Sequence, residues 1–270
     1  MKYRNTIILL FMACTSLAVA QAQFPTIVIE TNYGTMKAKL YDDTPVHSNH
    51  YLKLIKEGYF DGTLFHRVVK DFVIQGGSQD SRNAPPGMQI GSGRRDMELA
   101  PEFRENRYHK KGALAAPRRG DDENPRKRSD ASQFYIVQGQ IYTEGRLDTL
   151  ERAVNVPIRN EIIRTHYAPH REELARLKES GEPREFNALL DSVLGIVDSL
   201  YALAPGKLML PEELKKDYST IGGLRNLDGE YTVFGEVFEG LEVIDKIAAL
   251  PVDMYSRPTT DAKILRVYVE

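Results

Sequence analysis

The chain has no tryptophan and only one cysteine, Cys14, among its 270 residues. A single cysteine cannot form an intrachain disulfide or a thiolate metal cluster, so we expect the fold to depend on its apolar core. An excess of charge of one sign is also missing, because 36 basic and 38 acidic residues leave a net charge of −2. A basic surface for nucleic acid is therefore not expected, and we predict no nucleic-acid partner.

Long apolar runs are missing except at the N-terminus, where residues 6–20 are uncharged and mostly apolar. The run follows Lys2 and Arg4, and Ala-x-Ala sites stand at residues 18–20 and 20–22. A basic start, an apolar run and Ala-x-Ala sites, in this order, are typical of a secretory signal peptide. The apolar run is too short for a mature membrane span. We therefore predict a signal peptide over residues 1–22, a mature domain over 23–270, no stable membrane span and a periplasmic location.

A lipoprotein is the alternative at this end of the chain. The four residues that end at Cys14, Phe-Met-Ala-Cys, loosely resemble a lipobox, in which the cysteine would be acylated. The apolar run continues past Cys14 to Val19, whereas a lipidated cysteine should end it. Simple cleavage is favoured, and it would leave a mature protein without any thiol nucleophile.

The mature sequence alternates between strand and helix patterns. Residues 26–31 are rich in β-branched side chains, and residues 35–41 alternate as a partner strand after a turn. Thr44 and Pro45 open a predicted helix that ends near Gly58. This helix carries His47 and His50, but no further ligand lies nearby in sequence, so we interpret both as packing residues and predict no metal site.

In residues 142–222 the spacing of apolar residues changes from a period of two to a period of about 3.6. An apolar stripe predicts one long helix, and Pro157 is expected to interrupt or begin another. The residues of that stripe are Phe186, Leu189, Leu190, Val193, Leu194, Val197, Leu200 and Tyr201. Shorter helices are predicted at residues 172–178 and 211–218, and together they suggest a helical insertion separable from the rest of the chain. Strand and helix patterns then return at residues 231–237, 240–250 and 262–269.

The stretch from Phe65 to Gly77, FHRVVKDFVIQGG, holds two short strands around a charged turn. Strict alternation would put Phe65 and Arg67 on one face and His66 on the other, where it would be structural. Burying a guanidinium costs several kcal/mol unless it is paired or hydrated, so we expect Arg67 to line a cleft. Beyond the turn, Gln75 should share a face with Val73, and Ile74 should share the other with Phe72, unless a β-bulge intervenes.

Three ordered blocks resemble the cyclophilins, the peptidyl-prolyl cis-trans isomerases. The first is residues 65–77, similar to the family's FHR and F-x-x-Q-G-G segments. The second is SQFYIV at residues 132–137, and the third is LDGEYTVFGEV at residues 227–237. The resemblance implies a mainly β fold, a closed eight-stranded antiparallel barrel with flanking helices, to which the helical insertion is added. It also implies catalysis of rotation about X-Pro bonds without any cofactor.

By resemblance, Arg67 donates a hydrogen bond to the prolyl nitrogen, and Gln75 holds the peptide backbone and orients Arg67. The residues expected to form the substrate pocket and its rim are Phe72, Val73, Tyr135, Leu227, Tyr231, Ala116 and Pro117. Several positions depart from the family pattern: Val73 replaces Met, Tyr135 replaces Phe, Tyr231 replaces His, Pro117 replaces Ala, and Asn226 replaces the Trp of many eukaryotic members. These changes alter pocket shape and polarity but leave the Arg and the Gln in place.

The expected partners are proline-containing unfolded or extended polypeptides, which a monomeric enzyme would isomerise as they fold after export. A second interpretation is a peptide-binding chaperone with this fold, in which the helical insertion supplies the main binding surface and isomerisation is incidental. Intact Arg67 and Gln75 favour the enzyme. An exposed apolar surface on the insertion would favour the chaperone.

Overall fold

The computed structural model describes residues 25–94, 96–143 and 145–270. The predicted signal peptide, residues 1–22, and the possible lipidation site Cys14 lie outside the described residues. The strands are β1 (Thr26–Thr31), β2 (Gly34–Leu40), β3 (Phe65–Val69), β4 (Val73–Gly76), β5 (Glu98–Leu99), β6 (Ala113–Ala115), β7 (Ser129–Asp130), β8 (Phe134–Val137), β9 (Val233–Glu239) and β10 (Ile264–Val269).

Eight of these strands form one antiparallel sheet in the order β10-β1-β2-β9-β6-β8-β4-β3, and β5 pairs with β7 separately. The sheet is curled, but it is not the closed barrel that we expected. The edge strands β3 and β10 meet only through a single bridge, Leu64 to Lys263, and a few neighbouring backbone hydrogen bonds. Further along β3, the backbone N–H of Val68 donates to the carbonyl of Ser256, in the loop before β10. The loop thus replaces β10 as the partner of β3.

Alternation along the strands gives the sheet two apolar faces. In β8, Phe134 and Ile136 enter the main core, while Tyr135 and Val137 belong to a second cluster on the opposite face. Helices α1 (Pro45–Lys56) and α6 (Leu241–Ala248) pack into the main core. The second cluster is covered by the segment 224–231, and the candidate site lies on this face.

The described residues between β8 and β9 form four α-helices: α2 (Arg146–Tyr167), α3 (Arg171–Glu179), α4 (Pro183–Leu203) and α5 (Glu212–Thr220). We call the segment from α2 to α5 the insertion. The predicted long helix is confirmed as α4, but only Val193 and Val197 of its apolar stripe are buried, and Leu194 and Leu200 are exposed. The expected break at Pro157 is wrong. Helix α2 runs through Pro157, which removes one backbone hydrogen bond, because contacts with α4 hold this helix in place.

Helix α4 keeps several apolar side chains outside its contacts with α2 and α3. Ile196, Leu200 and Leu203 are exposed, and Leu203 retains 84% of its accessible area. By length and composition alone, α4 could cross a membrane. It packs on α2 and α3 in the insertion, and the expectation of no membrane span stays a prediction.

Candidate active site

A cleft of about 280 Å³ opens on the outer face of the sheet. Its walls are Arg67, Phe72, Val73, Gln75, Pro117, Arg118, Tyr135, Leu227 and Tyr231. The structure therefore brings together eight of the nine residues expected at the site from the sequence. Their roles in binding and catalysis stay predictions.

The centre of the cleft is a row of residues that runs straight across four strands. Arg67 on β3 pairs with Gln75 on β4, Gln75 pairs with Tyr135 on β8, and Tyr135 pairs with Ala115 on β6. Side chains directly opposite each other on adjacent strands lie close enough to interact. The backbone register thus fixes the spacing of the guanidinium, the amide and the aromatic ring.

A β-bulge in β3 puts Arg67 on the cleft face. Phe65 pairs with Gly76 and Arg67 with Gln75, so two residues on β3 advance the pairing by only one on β4. Phe65 and Val68 both enter the core, and Arg67 faces the cleft. The prediction that Phe65 and Arg67 share a face is therefore wrong, because strict alternation does not account for a bulge.

The guanidinium of Arg67 has few partners. Its Nη1 donates to Oε1 of Gln75 at 3.4 Å, and its Cζ lies 5.7 Å from the centre of the Phe72 ring. Among the described residues, no carboxylate oxygen is within ion-pair distance of it. Gln75 in turn donates from Nε2 to Oε1 of Gln133 at 2.8 Å, which holds the amide in place. Arg67 is thus oriented by a neutral partner and keeps donors free for a substrate.

The apolar wall of the cleft comes from three separate segments. Val73 begins β4, Tyr135 lies on β8, and Leu227 ends a short 3-10 turn, Arg225–Leu227, between the insertion and β9. Phe72 also faces the cleft, contrary to the prediction that it shares a face with Ile74, because it lies in the turn before β4. These side chains form an apolar surface beside the guanidinium.

Ala116 does not line the cleft. It follows β6, where alternation places Ala115 in the outer cluster and sends the fully buried Ala116 into the main core. Its neighbours Pro117 and Arg118 form the cleft wall instead. Ala116 therefore contributes to the core beneath the site and not to the pocket surface.

Arg118 is a wall residue that the sequence reasoning missed, since it begins a strongly charged segment typical of a solvated loop. Its guanidinium lies 4.6 Å from the centre of the Tyr231 ring. Nε donates to the carbonyl oxygen of Glu230 at 2.8 Å, and Nη2 lies 3.0 Å from the Glu230 carboxylate. The side chain of Arg118 is only 6% exposed, so these contacts fix both it and Tyr231 at the rim.

His109, also missed, lies behind the cleft. Its Nε2 is 2.9 Å from the hydroxyl oxygen of Tyr135, and its Nδ1 is 3.0 Å from Oδ1 of Asp228. Burial lowers the pKa of His109, against the opposing effect of Asp228, and burial holds the pKa of Tyr135 well above its usual range. Both groups are therefore neutral at pH 7. A Tyr at position 135, where the family has Phe, was the sequence signal that a polar partner lies behind this ring.

The two histidines of α1 take separate structural partners. His47 contacts Glu102 through Nδ1 at 2.7 Å and Ser129 through Nε2 at 2.9 Å, and Nε2 of His50 lies 3.0 Å from the carbonyl of Ala131. Across the described ranges, no group of three or more His, Cys, Asp or Glu side chains could hold a metal ion. These contacts agree with the interpretation of both histidines as packing residues.

The family model of the cyclophilin type peptidyl-prolyl cis-trans isomerases matches residues 26–153 and 218–269. A protein of Staphylococcus epidermidis named as a peptidyl-prolyl cis-trans isomerase is 27% identical over 245 residues, which cover 90% of this chain and 91% of that protein. A Streptococcus pyogenes protein named as a bifunctional phosphatase/peptidyl-prolyl cis-trans isomerase is 28% identical over 249 residues. That alignment covers 91% of this chain but only 38% of the streptococcal protein.

Solved structures agree on the fold. A cyclophilin type peptidyl-prolyl cis-trans isomerase of Cryptosporidium parvum superposes with a TM-score of 0.51 at 18% identity, covering 92% of this chain and 98% of that one. The same protein, crystallised in the presence of the dipeptide Ala-Pro, gives a TM-score of 0.50 at 17% identity, with 91% and 98% covered. Since the family model matches well over half of the residues, this chain belongs to the cyclophilin-type peptidyl-prolyl cis-trans isomerases.

Proposed function

We propose that this protein accelerates rotation about X-Pro bonds in exported polypeptides, and that Arg67 stabilises the twisted amide by donating a hydrogen bond to the prolyl nitrogen. Amide resonance gives the rotation a barrier of about 18–20 kcal/mol. In the twisted state the prolyl nitrogen regains its lone pair and can accept a hydrogen bond, which neither planar isomer can do. A donor placed at that nitrogen therefore binds the transition state better than the ground states.

The observation that carries the proposal is the position of Arg67 beside an apolar cleft, with no carboxylate partner in the part of the chain that the structure describes. A guanidinium stays protonated at all relevant pH values and holds its donors in a rigid fork. Gln75 fixes its orientation and leaves the charge uncompensated. Phe72, Val73 and Leu227 would exclude water from a bound proline ring, and a hydrogen bond is electrostatically stronger in such a low-dielectric site.

The test compares Arg67→Ala and Arg67→Lys with the unmodified protein on a short X-Pro peptide. Loss of one charged donor should cost about 1.5–3 kcal/mol, or roughly ten- to a hundredfold in kcat/KM. Arg67→Lys keeps the charge but loses the fork, so an intermediate rate is expected. Circular dichroism should show an unchanged fold, because Arg67 faces a cleft. Turnover in Arg67→Ala equal to that of the unmodified protein would exclude this role.

The export part of the proposal rests on the basic, apolar and Ala-x-Ala order of residues 1–22. We expect the mature protein to begin at Gln21 or Gln23 and to be found in the periplasm without lipid. Intact mass and N-terminal sequencing of the protein recovered from the host compartment decide this. A mature chain that starts at an acylated Cys14 would favour the lipoprotein, and an uncleaved cytoplasmic chain would contradict export.

A second candidate function is chaperone binding of unfolded polypeptides by the insertion. The exposed side chains Ile196, Leu200 and Leu203 on α4 favour it, because contiguous apolar surface is the usual contact for unfolded chains. The test is whether Ile196→Glu with Leu203→Glu reduces suppression of aggregation while turnover of a short peptide is retained. Equal suppression by the double variant would contradict this function and leave the isomerase proposal unaffected.

A further inference from the structure

A chain of buried and partly buried hydrogen bonds connects the insertion to the cleft. The hydroxyl of Tyr218, at the end of α5, donates to Oδ2 of Asp228 at 2.7 Å. Oδ1 of Asp228 contacts Nδ1 of His109 at 3.0 Å, and Nε2 of His109 contacts the hydroxyl of Tyr135 at 2.9 Å. We call Tyr218, Asp228, His109 and Tyr135 the relay.

The proton positions in the relay follow from which atoms of its side chains can donate a hydrogen bond and which can only accept one. Asp228 also accepts the backbone N–H of His109 at 2.7 Å and lies 3.7 Å from Nη1 of Arg225, as suits an ionised carboxylate, which can only accept. Nδ1 of His109 must therefore carry a proton and donate to Asp228. Neutral His109 then has a bare Nε2, which can only accept, so the hydroxyl of Tyr135 donates to it.

This direction has a consequence for the cleft. The hydroxyl hydrogen of Tyr135 points back to His109, away from the space where a substrate would bind. The ring of Tyr135 is also held by its stacked contact with His109, at a centroid distance of 6.0 Å, and by its edge contact with Tyr231, at 6.1 Å. The substrate therefore meets the ring of Tyr135 as an apolar surface and not a free hydroxyl donor.

The other end of the relay lies in a small buried cluster made of Tyr142, Leu147, Leu210, Leu214 and Tyr218, which we call the foot of the insertion. The ring of Tyr218 is fully buried, stacks on Tyr142 at a centroid distance of 5.5 Å, and meets Tyr108 edge-on at 5.7 Å. Gly223 lies so close that an added Cβ there would be 2.1 Å from Cε1 of Tyr218. Tyr218 cannot shift independently of these neighbours, so its hydroxyl is fixed against Asp228.

We infer that Tyr218, Asp228 and His109 are positioning residues for Tyr135, so that the foot of the insertion sets the affinity of the cleft for X-Pro peptides. The inference rests on the proposed function, since it assigns a binding role to the same cleft. Breaking the relay should therefore lower peptide affinity and raise KM with little change in kcat, because the contact of Arg67 with Gln75 does not pass through the relay.

The experiment uses the full mature chain and two matched variants that each remove one hydroxyl. Tyr218→Phe breaks the relay and keeps the stacked ring. Tyr108→Phe is the control: its hydroxyl donates to Asp217 at 3.1 Å in the same aromatic cluster, outside the relay. Each variant is also combined with Tyr135→Phe, which removes the hydroxyl that donates to His109. Peptide Kd by NMR titration, KM and kcat are measured for all.

We expect Tyr218→Phe to weaken peptide binding about three- to tenfold, less than the full effect of losing a hydrogen bond to a charged group, because the lost bond acts on the cleft only through Asp228 and His109. Tyr108→Phe should leave peptide affinity unchanged, and Tyr218→Phe should have no further effect when Tyr135 is already Phe. Affinity unchanged by Tyr218→Phe would overturn the inference. An equal loss of affinity with and without the Tyr135 hydroxyl would also overturn it, since the effect would then be structural.

A readout independent of turnover separates this inference from the proposed function. Long-range ¹H–¹⁵N spectra should show His109 protonated at Nδ1 and bare at Nε2, and its shifts should change in Tyr218→Phe but not in Tyr108→Phe. The opposite tautomer in the unmodified protein would overturn the relay. An unmodified protein that binds peptide and shows the expected tautomer, but has no turnover, would overturn the proposed function alone.

Discussion

Asn155 and Leu208 exchange two hydrogen bonds and so close the insertion at its foot. Nδ2 of Asn155 donates to the carbonyl of Leu208 at 2.8 Å, and the backbone N–H of Leu208 donates to Oδ1 of Asn155 at 2.8 Å. Beyond this pair lie all of α3 and α4 and the second half of α2. On the other side lies a small buried cluster made of Tyr142, Leu147, Leu210, Leu214 and Tyr218.

This pair shows where the insertion can be removed. We predict that deletion of residues 156–207, with Asn155 joined to Leu208 by a short glycine linker, leaves a folded protein that retains its activity on a tetrapeptide. The two ends are already adjacent, and the relay and the foot cluster remain intact. The measurements are circular dichroism and kcat/KM, which should stay within about twofold, since distant and independent sites contribute additively.

The control deletion removes residues 142–218, most of the predicted helical insertion at 142–222. This deletion also takes away Tyr142 and Tyr218, so Asp228 loses the hydroxyl of Tyr218 as a partner. We expect it to bind the tetrapeptide more weakly than the shorter deletion does. A shorter deletion that folds but is inactive on the tetrapeptide would mean that α3 or α4 completes the active site.

Most of the site residues were predicted by resemblance to the cyclophilins, and the period of two in the strands added which residues share a face. It placed Val73 and Gln75 on one face, and the structure agrees. Two expectations failed for different reasons. A bulge separates Phe65, in the core, from Arg67, at the cleft, and Ala116 has no neighbour in sequence that marks its face as the core side. Arg118 was missed because a charged loop gives no sign that one of its residues is held against an aromatic ring.

The relay could not be predicted from one sequence, because its members are far apart in the chain. His109 precedes β6, whereas Tyr218 and Asp228 flank the Gly222-Gly223 turn after the insertion. Only the antiparallel packing of β6, β8 and β9 brings the segments before and after the insertion together. A buried Tyr in place of Phe indicates that some partner exists, but it does not identify that partner.

Cyclosporin should bind this protein weakly. Members of the family that bind the drug tightly use a Trp, and the residue at that position here is Asn226, which is exposed next to Leu227 at the cleft. The chain contains no Trp at any other position that could make this contact with the drug. Calorimetry measures the affinity, and a nanomolar Kd would contradict the prediction. Asn226→Trp is the matched gain-of-function variant, and we expect it to improve affinity at least about tenfold because an indole buries a large apolar area.

Acid should destabilise the fold partly through His66. Among the described residues neither ring nitrogen of His66 has a hydrogen-bond partner, and the ring lies against Gly91, where an added Cβ would be 2.3 Å from its Cδ2. Burial lowers the pKa of His66 to about 4, although the nearby Asp80 opposes the shift. An unfolded chain returns this group to its ordinary pKa of about 6.5. Between these two values the unfolded state binds a proton that the folded state does not.

The free energy of unfolding should therefore fall as the pH drops below about 6.5, because stability rises with pH wherever the unfolded state holds more protons. His66 alone should account for about 2 kcal/mol between pH 7 and pH 5. Urea unfolding of the unmodified protein and of His66→Gln at both pH values isolates this contribution, since His47 and His109 are present in both. Their burial also lowers their pKa values, so they destabilise both proteins equally in acid. The same pH dependence in both proteins would show that His66 is not the group responsible.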